Sequence, residues 1–501
     1  INASQIAIFS NKPYQKYIER GFNYGLKLSH LEHYPLFEKE MLQFKSNKKL
    51  LKKYSSTGPR YTSYPPATFF DTNFTNDDFK EKIIVSNNEF PQNISVYIHI
   101  PFCPQICHFC GCTTETGFTK PFLERYIDAL IKEIDYVSKK IDSTRILTQV
   151  HWGGGTPNAI SYKFIERVTN KLFDTFKFAS NYEMAIECNP AHIEFRHIEL
   201  LKKFGFNRIS LGIQDFRLDV LEGINRKPSK HPIEDIVKKI SDEGFTGTNI
   251  DLVYGLPYQT PKRFDKTVDR AIKLNTDRIV TFSYAHVPSI LPRQKILEDI
   301  GFPSSSDKAL MYENAYKKLV DAGYVSIGMD HYSKPDDDFA IALKNKQLHR
   351  NFQGYCTLET TGQVYAFGAS SISQLDSAYI QNIKNASQYI NSIEKNNLAV
   401  LRGYSVNKEQ KIIREIINSI MCNYFVDINI ISKKYNLTNS ELYNSIKFKE
   451  DSLEDFISDK ILDFNDNKII INESGRLFTR NIAMRFDPLI DQKIGTYSNT
   501  V

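Results

Sequence analysis

The chain has 501 residues, of which 41% are hydrophobic and 24% are charged, enough for about two or three globular domains. Its formal net charge of +6 is mild for this length, so composition gives no indication of a nucleic-acid-binding protein. No apolar run of about 18 residues occurs, which predicts no membrane span. No signal-peptide pattern opens the sequence, and clustered cysteines favour a reducing compartment, so we expect a cytoplasmic protein.

The chain before residue 91 divides into two segments. Residues 1–40 are polar and aromatic without a periodic core pattern, so we interpret them as an N-terminal extension of unknown role. We expect either that Met41 is the natural start or that residues 1–40 are a lineage-specific extension. Residues 41–90 form the second segment, which contains Gly58-Pro-Arg-Tyr-Thr-Ser-Tyr-Pro65.

Between residues 91 and 375 short β-rich runs alternate with amphipathic helical stretches. The predicted strands are Ile94–Ile100, Ile146–Trp152, Met184–Cys188, Arg208–Gly212, Thr248–Val253 and Arg278–Phe282. The predicted helices include Lys120–Ile141, Lys163–Phe176 and Pro232–Glu243. This alternation predicts an α/β fold, a partial (β/α)6 TIM-like barrel. Residues 376–501 are predicted to form a separate, mostly helical C-terminal domain with one strand-like stretch, Lys468–Asn472.

Four of the seven cysteines lie within ten residues, directly after the first predicted strand. Cys103, Cys107 and Cys110 have the spacing C-x3-C-x2-C, and Cys112 follows. Thiolates are soft ligands that select iron–sulfur clusters, zinc or Cu(I). Three ligands at this spacing can hold three irons of a 4Fe–4S cube and leave the fourth open to a substrate or cofactor. The isolated cysteines, Cys188, Cys356 and Cys422, are expected to be buried thiols.

A structural zinc site is the main alternative for the cysteine cluster. Such sites usually combine two separated ligand pairs. His108 lies inside the cluster, but no second pair follows downstream. The spacing therefore favours an iron–sulfur cluster while leaving zinc open.

Other chemically useful side chains follow the later strands, where folds of this kind build their active sites. The turn Gly153-Gly-Gly-Thr-Pro157 lets the backbone approach a ligand closely. Glu187 and Asp251 end two predicted strands, and each carboxylate could bind a ribose or an ammonium, or equally cap a helix or form a buried ion pair. Gln214 and Arg226 add a neutral and a cationic contact.

Several motifs in order resemble one family. The cysteine loop is similar to the signature of the radical S-adenosylmethionine (SAM) superfamily, and the whole set resembles the oxygen-independent coproporphyrinogen III oxidases (coproporphyrinogen dehydrogenases) from about residue 50 onward. The motifs are Gly58–Pro65, Tyr97-Ile-His-Ile-Pro-Phe-Cys103 with Cys110-Gly-Cys112, His151-Trp-Gly-Gly-Gly-Thr-Pro157, Asn249–Pro257, Ile327-Gly-Met-Asp-His331, His349–Tyr355 and Arg480-Asn-Ile-Ala-Met484.

The resemblance implies roles for individual residues. Cys103, Cys107 and Cys110 would ligate one 4Fe–4S cluster and, with Tyr97, form the catalytic group, whereas Cys112 would not be a ligand. Positions matching the contacts of a first SAM molecule are Tyr97, Phe109, Gly154, Glu187 and Ile372. Positions matching a second SAM molecule are Gly155, Thr156, Gln214, Arg226, Asp251 and Ala285.

The family's reaction would be the oxygen-independent decarboxylation of two propionates of coproporphyrinogen III to vinyl groups, through a 5′-deoxyadenosyl radical, giving protoporphyrinogen IX in haem biosynthesis. Residues 41–90 and the C-terminal domain are expected to cover the site. Arg60, His349 and Arg350 are candidates to bind substrate carboxylates. A transient electron donor such as flavodoxin or ferredoxin, a monomer, and no nucleic-acid partner are also expected.

Three rival interpretations remain. A haem-carrying chaperone would share the barrel and three cysteines, but usually lacks Cys-Gly-Cys and the segment Gly58–Pro65, both present here. An RNA-modifying radical enzyme would need a strongly basic face or an added RNA-binding domain. A structural zinc protein would contain zinc without iron or labile sulfide.

Overall fold

The structure, a computed structural model, describes residues 48–490. The predicted extension 1–40 and the predicted start at Met41 lie outside the described residues. No helix of the described part is long and apolar enough to cross a membrane.

Six parallel strands form the centre of the fold and lie side by side in chain order. They are β1 (Ile94–Ile100), β2 (Ile146–Gly154), β3 (Lys177–Cys188), β4 (Arg208–Gln214), β5 (Gly247–Tyr254) and β6 (Arg278–Ser283). All six predicted strands are present, and β3 begins seven residues before the predicted Met184. Since parallel neighbours end at the same edge, their carboxyl ends form one continuous rim.

Helices connect the strands and cover the sheet. Those of the described chain are α1 (Lys48–Tyr54), α2 (Asn76–Ser86), α3 (Lys120–Ser138), α4 (Tyr162–Thr175), α5 (Phe195–Lys203), α6 (Leu218–Gly223), α7 (Ile233–Asp242), α8 (Pro261–Lys273), α9 (Ser305–Asp321), α10 (Asp338–Lys344), α11 (Ala386–Asn396), α12 (Lys408–Asn423), α13 (Ile428–Lys434), α14 (Asn439–Ile446), α15 (Glu454–Ser458) and α16 (Thr479–Ala483). Thr119 caps the start of α3, since its hydroxyl accepts from the amide of Phe122, and Thr260 caps α8 in the same way.

Further strands extend the sheet on both sides to twelve strands, in the order β14-β13-β12-β11-β1-β2-β3-β4-β5-β6-β8-β7. The remaining strands are β7 (Val325–Ile327), β8 (His331–Ser333), β9 (Leu348–Asn351), β10 (Gly354–Thr357), β11 (Gln363–Phe367), β12 (Ile372–Gln374), β13 (Ala378–Asn382), β14 (Val400–Ser405), β15 (Phe425–Asp427), β16 (Leu462–Asn465) and β17 (Lys468–Ile471). Only β11 is parallel to its central neighbour β1, and β12–β14 and β7–β8 pair antiparallel. The sheet is therefore open, as a partial barrel requires.

The sheet continues beyond residue 376, where the sequence placed a domain boundary. Strands β13 and β14 belong to the central sheet, and the predominantly helical part begins with α12. The division of the chain into domains stays a prediction, but 378–405 is structurally part of the barrel's sheet. The predicted strand near residue 470 is present as β17, paired with β15 and β16.

Two apolar cores hold these layers. The larger lies between the central strands and their helices, and includes the fully buried Trp152. The second surrounds α12, which buries Ile412, Ile416 and Ile420 at helical spacing. The segment 54–64 belongs to this second core, where the ring of Tyr54 stacks on Phe456 at 4.8 Å. The segment 54–64 thus packs against the C-terminal helices.

Candidate functional site

The cysteine loop leaves the end of β1 and is held at both ends by backbone hydrogen bonds. The amide of Cys103 donates to Glu115 O at 3.0 Å, and the amide of Glu115 donates to Pro101 O at 2.7 Å. The middle of the loop is bound to the end of α6, since the amide of His108 donates to Ile224 O at 3.0 Å. The cysteines therefore stand on a fixed loop at the rim of the sheet.

The four thiols of the loop differ in exposure. Cys103 and Cys107 are buried, Cys110 is half-buried and Cys112 is exposed. Burial raises the pKa of the Cys103 and Cys107 thiols. Hydrogen bonding by Cys112 lowers the pKa of Cys110, whose sulfur also accepts from the amide of Cys112 at 3.4 Å. A buried thiolate needs a positive partner, and Arg226 supplies one, with Nη1 3.5 Å from Cys107 Sγ.

An iron–sulfur cluster and a single zinc ion require different arrangements of their cysteine ligands. In the described part of the chain no three His, Cys, Asp or Glu side chains converge on one ion position. A mononuclear zinc site needs such convergence, whereas each cysteine of a cluster binds a separate iron. The thiols of Cys103, Cys107 and Cys110 nevertheless lie close enough for their charges to affect one another. These three residues are consistent with cluster ligation.

The glycine turn after β2 is packed directly against the cysteine loop. Gly154 has φ +115°, and a Cβ there would lie 2.7 Å from the ring of His99. A Cβ on Gly155 would lie 2.9 Å from Phe102 O. The amides of Gly155 and Thr156 donate to Ile100 O at 2.8 Å and Phe102 O at 2.9 Å. These two amides therefore bind the end of β1 and the start of the cysteine loop.

Thr156 also contacts the cluster loop through its side chain. Its hydroxyl oxygen lies 3.2 Å from Cys103 Sγ. The turn and the first cysteine are thus joined by both backbone and side-chain hydrogen bonds. Replacing Gly155 would therefore shift the start of the cysteine loop, because a Cβ there would meet the backbone of Pro101 and Phe102 at 2.9 Å.

A row of polar rings lies inside the rim and ends at a carboxylate. The hydroxyl of Tyr97 lies 3.0 Å from His99 Nδ1, and its ring is stacked on His151 at 5.9 Å. His151 Nε2 lies 3.0 Å from Glu187 Oε1. Burial lowers the pKa of His151, but the hydrogen bond and charge of Glu187 raise it overall. His99 and His151 stand in the quoted motifs, yet their roles were missed because only the fold brings them together.

A second group lies at the ends of β4 and β5. Gln214 has φ +69°, and a guanidinium nitrogen of Arg226 donates a short hydrogen bond to Gly212 O. Asp251 Oδ2 accepts from Ser210 Oγ at 3.1 Å. Burial, and then the charge of Glu187, raise the pKa of Asp251 to about 6.

A cavity of about 230 Å³ opens beside this second group. Its walls include Gly212, Arg226 and Lys227, and also Asn189 from the end of β3. Arg226 therefore connects the cavity with the cysteine loop.

Three predicted residues remain. Phe109 and Ala285 are joined by the buried Gln294, whose amide donates to their carbonyls at 3.1 and 3.2 Å. Sequence reasoning missed Gln294 because it lies far along the chain, in the short 3-10 helix Pro292–Leu297. Ile372 stands apart on β12, two strands beyond β1, beside the cluster that contains Phe70.

The three residues predicted to bind substrate carboxylates, Arg60, His349 and Arg350, do not all lie together. Arg350 Nη1 donates to Arg60 O at 3.4 Å. His349 precedes Arg350 on β9, so its side chain points to the opposite face. Burial and the charges of Arg414 and Lys434 lower its pKa to about 4. His349 thus faces the C-terminal region, away from Arg60.

Comparison with known proteins agrees with this geometry. The model of the radical SAM superfamily matches residues 97–271. The chain is 37% identical over 445 residues to the oxygen-independent coproporphyrinogen III oxidase of Synechocystis, covering 89% of this chain and 95% of that one. It is 37% identical over 447 residues to the protein of the same name from Escherichia coli K12, with the same coverage. The solved coproporphyrinogen III oxidase HemN of Escherichia coli, described as a radical SAM enzyme, superposes with a TM-score of 0.80 at 34% identity, covering 88% of this chain and 99% of that one.

Proposed function

Because the chain belongs to the oxygen-independent coproporphyrinogen III oxidases, a family of radical SAM enzymes, we propose that it oxidatively decarboxylates two propionates of coproporphyrinogen III to vinyl groups and so forms protoporphyrinogen IX in haem biosynthesis. For each propionate the side chain loses one hydrogen atom from its β-carbon, one CO2 and one electron, which passes to an external one-electron acceptor. The carbon–carbon bond to the carboxylate breaks, and the vinyl double bond forms.

The observation that carries this proposal is the placement of the cysteine loop. Cys103, Cys107 and Cys110 meet the glycine turn and the row ending at Glu187 on one rim of the sheet. The family implies a 4Fe–4S cluster and SAM, which together supply the 5′-deoxyadenosyl radical that removes the hydrogen atom. The chain's own residues would hold both and keep water away.

In the first SAM position, Glu187 and Tyr97 are the main polar groups that the chain offers. Glu187 accepts a hydrogen bond when His151 carries its proton on Nε2, which leaves the second carboxylate oxygen for an ammonium group. Gly154, at the end of β2, packs against His99, whose ring contacts the hydroxyl of Tyr97. Phe109 and Ile372 would contribute apolar contacts.

A second SAM molecule is proposed next to the first. Support comes from Arg226, which lines the cavity and lies 3.5 Å from Cys107 Sγ, and from Asp251, a carboxyl on β5 that accepts from Ser210 on β4. The guanidinium of Arg226 can pair with a carboxylate, and Asp251 and Gln214 can accept from hydroxyl or amino groups. The backbone of Ala285, and Gly155 and Thr156, complete the proposed set.

A carbon-centred radical needs a closed, dry site. The segment 54–64 is fixed by the C-terminal helix α16 and by strand β13 of the sheet, since Asn481 Nδ2 donates to Tyr54 O at 2.8 Å and Tyr379 donates to Tyr64 O at 3.1 Å. We assign it to the cover of the site. This assignment rests on its anchoring and on the position of Arg60.

The proposed partners follow from the chemistry. The cluster must receive one electron at a time, so we propose a transient donor such as a flavodoxin or ferredoxin. The seven cysteines are all free thiols in the structure, which favours work in the reducing cytoplasm. We propose a monomer and no nucleic-acid partner.

The direct test is anaerobic turnover by the cluster-reconstituted protein with dithionite, SAM and coproporphyrinogen III. We expect protoporphyrinogen IX, read as protoporphyrin after oxidation, together with 5′-deoxyadenosine and methionine. A protein with an intact cluster that binds haem stably and forms no vinyl product would instead support the chaperone interpretation. Zinc without iron or labile sulfide would support a structural zinc protein.

A further inference from the structure

A group of cations lies beside the carboxyl ends of β5 and β6. Lys308, near the start of α9, donates from Nζ to Tyr284 O at 2.8 Å, directly after β6. Its side chain also covers Gly255, directly after β5, where a Cβ would lie 2.7 Å from Lys308 Cε. Arg350 approaches from β9 and donates to the backbone of Arg60. Three elements distant in sequence thus place cations at one part of the rim.

Arg60 belongs to this group through its charge as well as its backbone. Burial is the main cause that lowers the pKa of Lys308, and the charge of Arg60 lowers it further. Burial raises the pKa of Asp330. Its hydrogen-bonded neighbour His331 lowers this pKa, and the charges of Arg350 and Arg60 lower it further, so that the net shift is downward. Arg60 and Arg350 therefore both lie near Asp330.

The positive charges of this group are not balanced. In the part of the chain that the structure describes, the exposed guanidinium of Arg60 makes no hydrogen bond or ion pair, and the buried Nε of Arg350 has no partner. Among residues 48–490, the ammonium group of Lys308 is matched only by a backbone carbonyl. The nearby acid, Asp330, already accepts from His331 Nδ1 at 2.6 Å. An excess of partly buried positive charge attracts an anionic ligand.

Flat apolar surfaces adjoin these cations. The guanidinium of Arg350 lies 5.3 Å from the ring centre of Tyr355, which contacts His331 edge-on at 5.0 Å. His331 in turn meets Phe282 at the end of β6, at 5.9 Å. Aromatic walls beside unpaired cations suit a flat ring system that carries carboxylates.

The same group is connected to the proposed radical site. Lys308 donates to the carbonyl of Tyr284, and the next residue, Ala285, is one that we assign to the second SAM position. A substrate held by the cations would therefore extend towards the residues that surround the reacting propionate.

We propose that Arg60, Lys308 and Arg350 form a carboxylate clamp that binds the two propionates of the tetrapyrrole that are retained in the product. This inference rests on the proposed function and specifies how the substrate is oriented. Coproporphyrinogen III has four propionates, of which two react, so the other two must be held elsewhere while each reacting side chain reaches the radical.

The backbone around Arg60 is fixed before any ligand binds. Arg480 donates from Nε to Pro59 O at 3.2 Å and through a short hydrogen bond to Gly58 O. On the other side, the hydroxyl of Tyr61 donates to Asp487 at 2.9 Å. A fixed backbone reduces the ordering cost of binding, so Arg60 can act as a pre-placed anchor.

The test measures binding and turnover separately. Coproporphyrin III, the fluorescent oxidised tetracarboxylate, is titrated against cluster-loaded protein, and KM and kcat are measured with coproporphyrinogen III. We expect Arg60→Gln, Lys308→Gln and Arg350→Gln each to raise Kd and KM about tenfold, the effect of losing one charge-assisted contact. SAM cleavage without substrate should not change. Matched controls are Lys317→Gln on the exposed part of α9 and the exposed Arg196→Gln, which should bind as the wild type.

Two further comparisons separate a carboxylate contact from a folding defect. The tetramethyl ester of coproporphyrin III carries no charge, so its binding should be the same in wild type and variants. Arg350→Lys keeps the charge but loses the forked donor, and should fall between wild type and Arg350→Gln. Clamp variants that bind coproporphyrin III within twofold of a wild type that turns over would overturn the clamp. A wild type that binds coproporphyrin III through these cations but forms no vinyl product would overturn the proposed function and leave the clamp standing.

Discussion

His151 Nε2 lies 3.0 Å from Glu187 Oε1, and this hydrogen bond joins the ends of β2 and β3 at the centre of the proposed site. The ring of His151 also stacks on Tyr97. Because Glu187 is the proposed contact of the SAM ammonium group, His151 acts as a positioning residue that fixes the carboxylate.

We expect His151→Phe, which retains a ring to stack on Tyr97 but removes the hydrogen bond, to weaken SAM binding about fivefold to tenfold, the value of one charged hydrogen bond. Iron content should not change. In the Glu187→Gln background the same substitution should have little further effect. An equal loss in both backgrounds would show that His151 does not act through Glu187, and equilibrium binding of SAM measures each case.

The close approach of Gly154 to His99 predicts that Gly154→Ala is severely harmful. The new Cβ would meet the His99 ring at 2.7 Å, and φ is +115°. We expect lower thermal stability and SAM cleavage reduced by more than about tenfold, because misplacement of reacting groups is costly. Gly117→Ala is the matched control, since Gly117 also has positive φ but no atom within 4 Å of a Cβ. Equal behaviour of the two variants would show that strain, and not the contact with His99, is responsible.

The buried carboxyl of Glu133 predicts a pH dependence of stability. It accepts from Tyr389 at 2.6 Å, from the amide of Gly368 at 3.0 Å and from Asn382 at 2.7 Å, yet burial raises its pKa from 4.5 to about 7. Between these values the folded state holds a proton that the unfolded chain has lost. The free energy of unfolding should therefore fall as pH rises from about 4.5 to 7, by about 3 kcal/mol at about 1.4 kcal/mol per unit.

Glu133→Gln isolates this contribution, because His99 and Asp251 also titrate with shifted pKa values. Denaturant unfolding at several pH values would give the difference between wild type and variant. The difference in the free energy of unfolding between wild type and Glu133→Gln should change by about 3 kcal/mol between pH 4.5 and 7. A cost of the amide that is independent of pH would not alter this change. A difference that is the same at pH 5 and pH 8 would contradict the assignment.

The carboxylate of Asp251 should matter for SAM and not for the cluster. We expect Asp251→Ala to raise the SAM concentration needed for half-maximal cleavage by about tenfold or more, since a buried polar contact is lost. Iron and sulfide content should match the wild type. The exposed Asp174→Asn serves as a control for a lost surface charge. Unchanged SAM dependence of Asp251→Ala would remove this residue from the site.

The cysteine assignments predict different outcomes for neighbouring residues. Cys107→Ala should lose the iron–sulfur absorption and all activity, because a cluster ligand is missing. Cys112→Ala should keep the cluster, since the exposed Cys112 is assigned no iron. Cys188→Ala, in the core of the sheet, controls for the loss of a thiol. A Cys107→Ala protein that stays brown and active would refute the ligand set.

The sequence predicted the part of the fold that repeats. Each central strand is an apolar run bounded by turn residues and followed by an amphipathic helix. Strands β1 to β6 could therefore be located from the spacing of apolar residues alone. Strands such as β7, β8 and β12 span three residues each, and such short runs carry no periodic signal. Their pairing is decided by tertiary contacts, and so is the extension of the sheet beyond residue 376.

The candidate site was predictable where a motif carries the chemistry. The cysteine loop, the glycine turn and the strand-end carboxylates are local patterns. The partners that orient them are not. Gln294 reaches Phe109 across 185 positions of sequence, and Lys308 gains a role only because α9 begins beside Gly255. That His349 faces away from Arg60 follows from strand alternation, which could be applied only after β9 was located.

The central claim is that a radical formed beside the cysteine loop removes a hydrogen atom from the substrate propionates. The most direct measurement uses coproporphyrinogen III deuterated at the propionate β-carbons in an anaerobic reaction with the reconstituted protein. The account predicts 5′-deoxyadenosine that carries one deuterium, with two molecules formed for each protoporphyrinogen IX. Unlabelled 5′-deoxyadenosine, with the porphyrinogen left intact, would contradict it and would mean that the radical machinery acts on a different substrate.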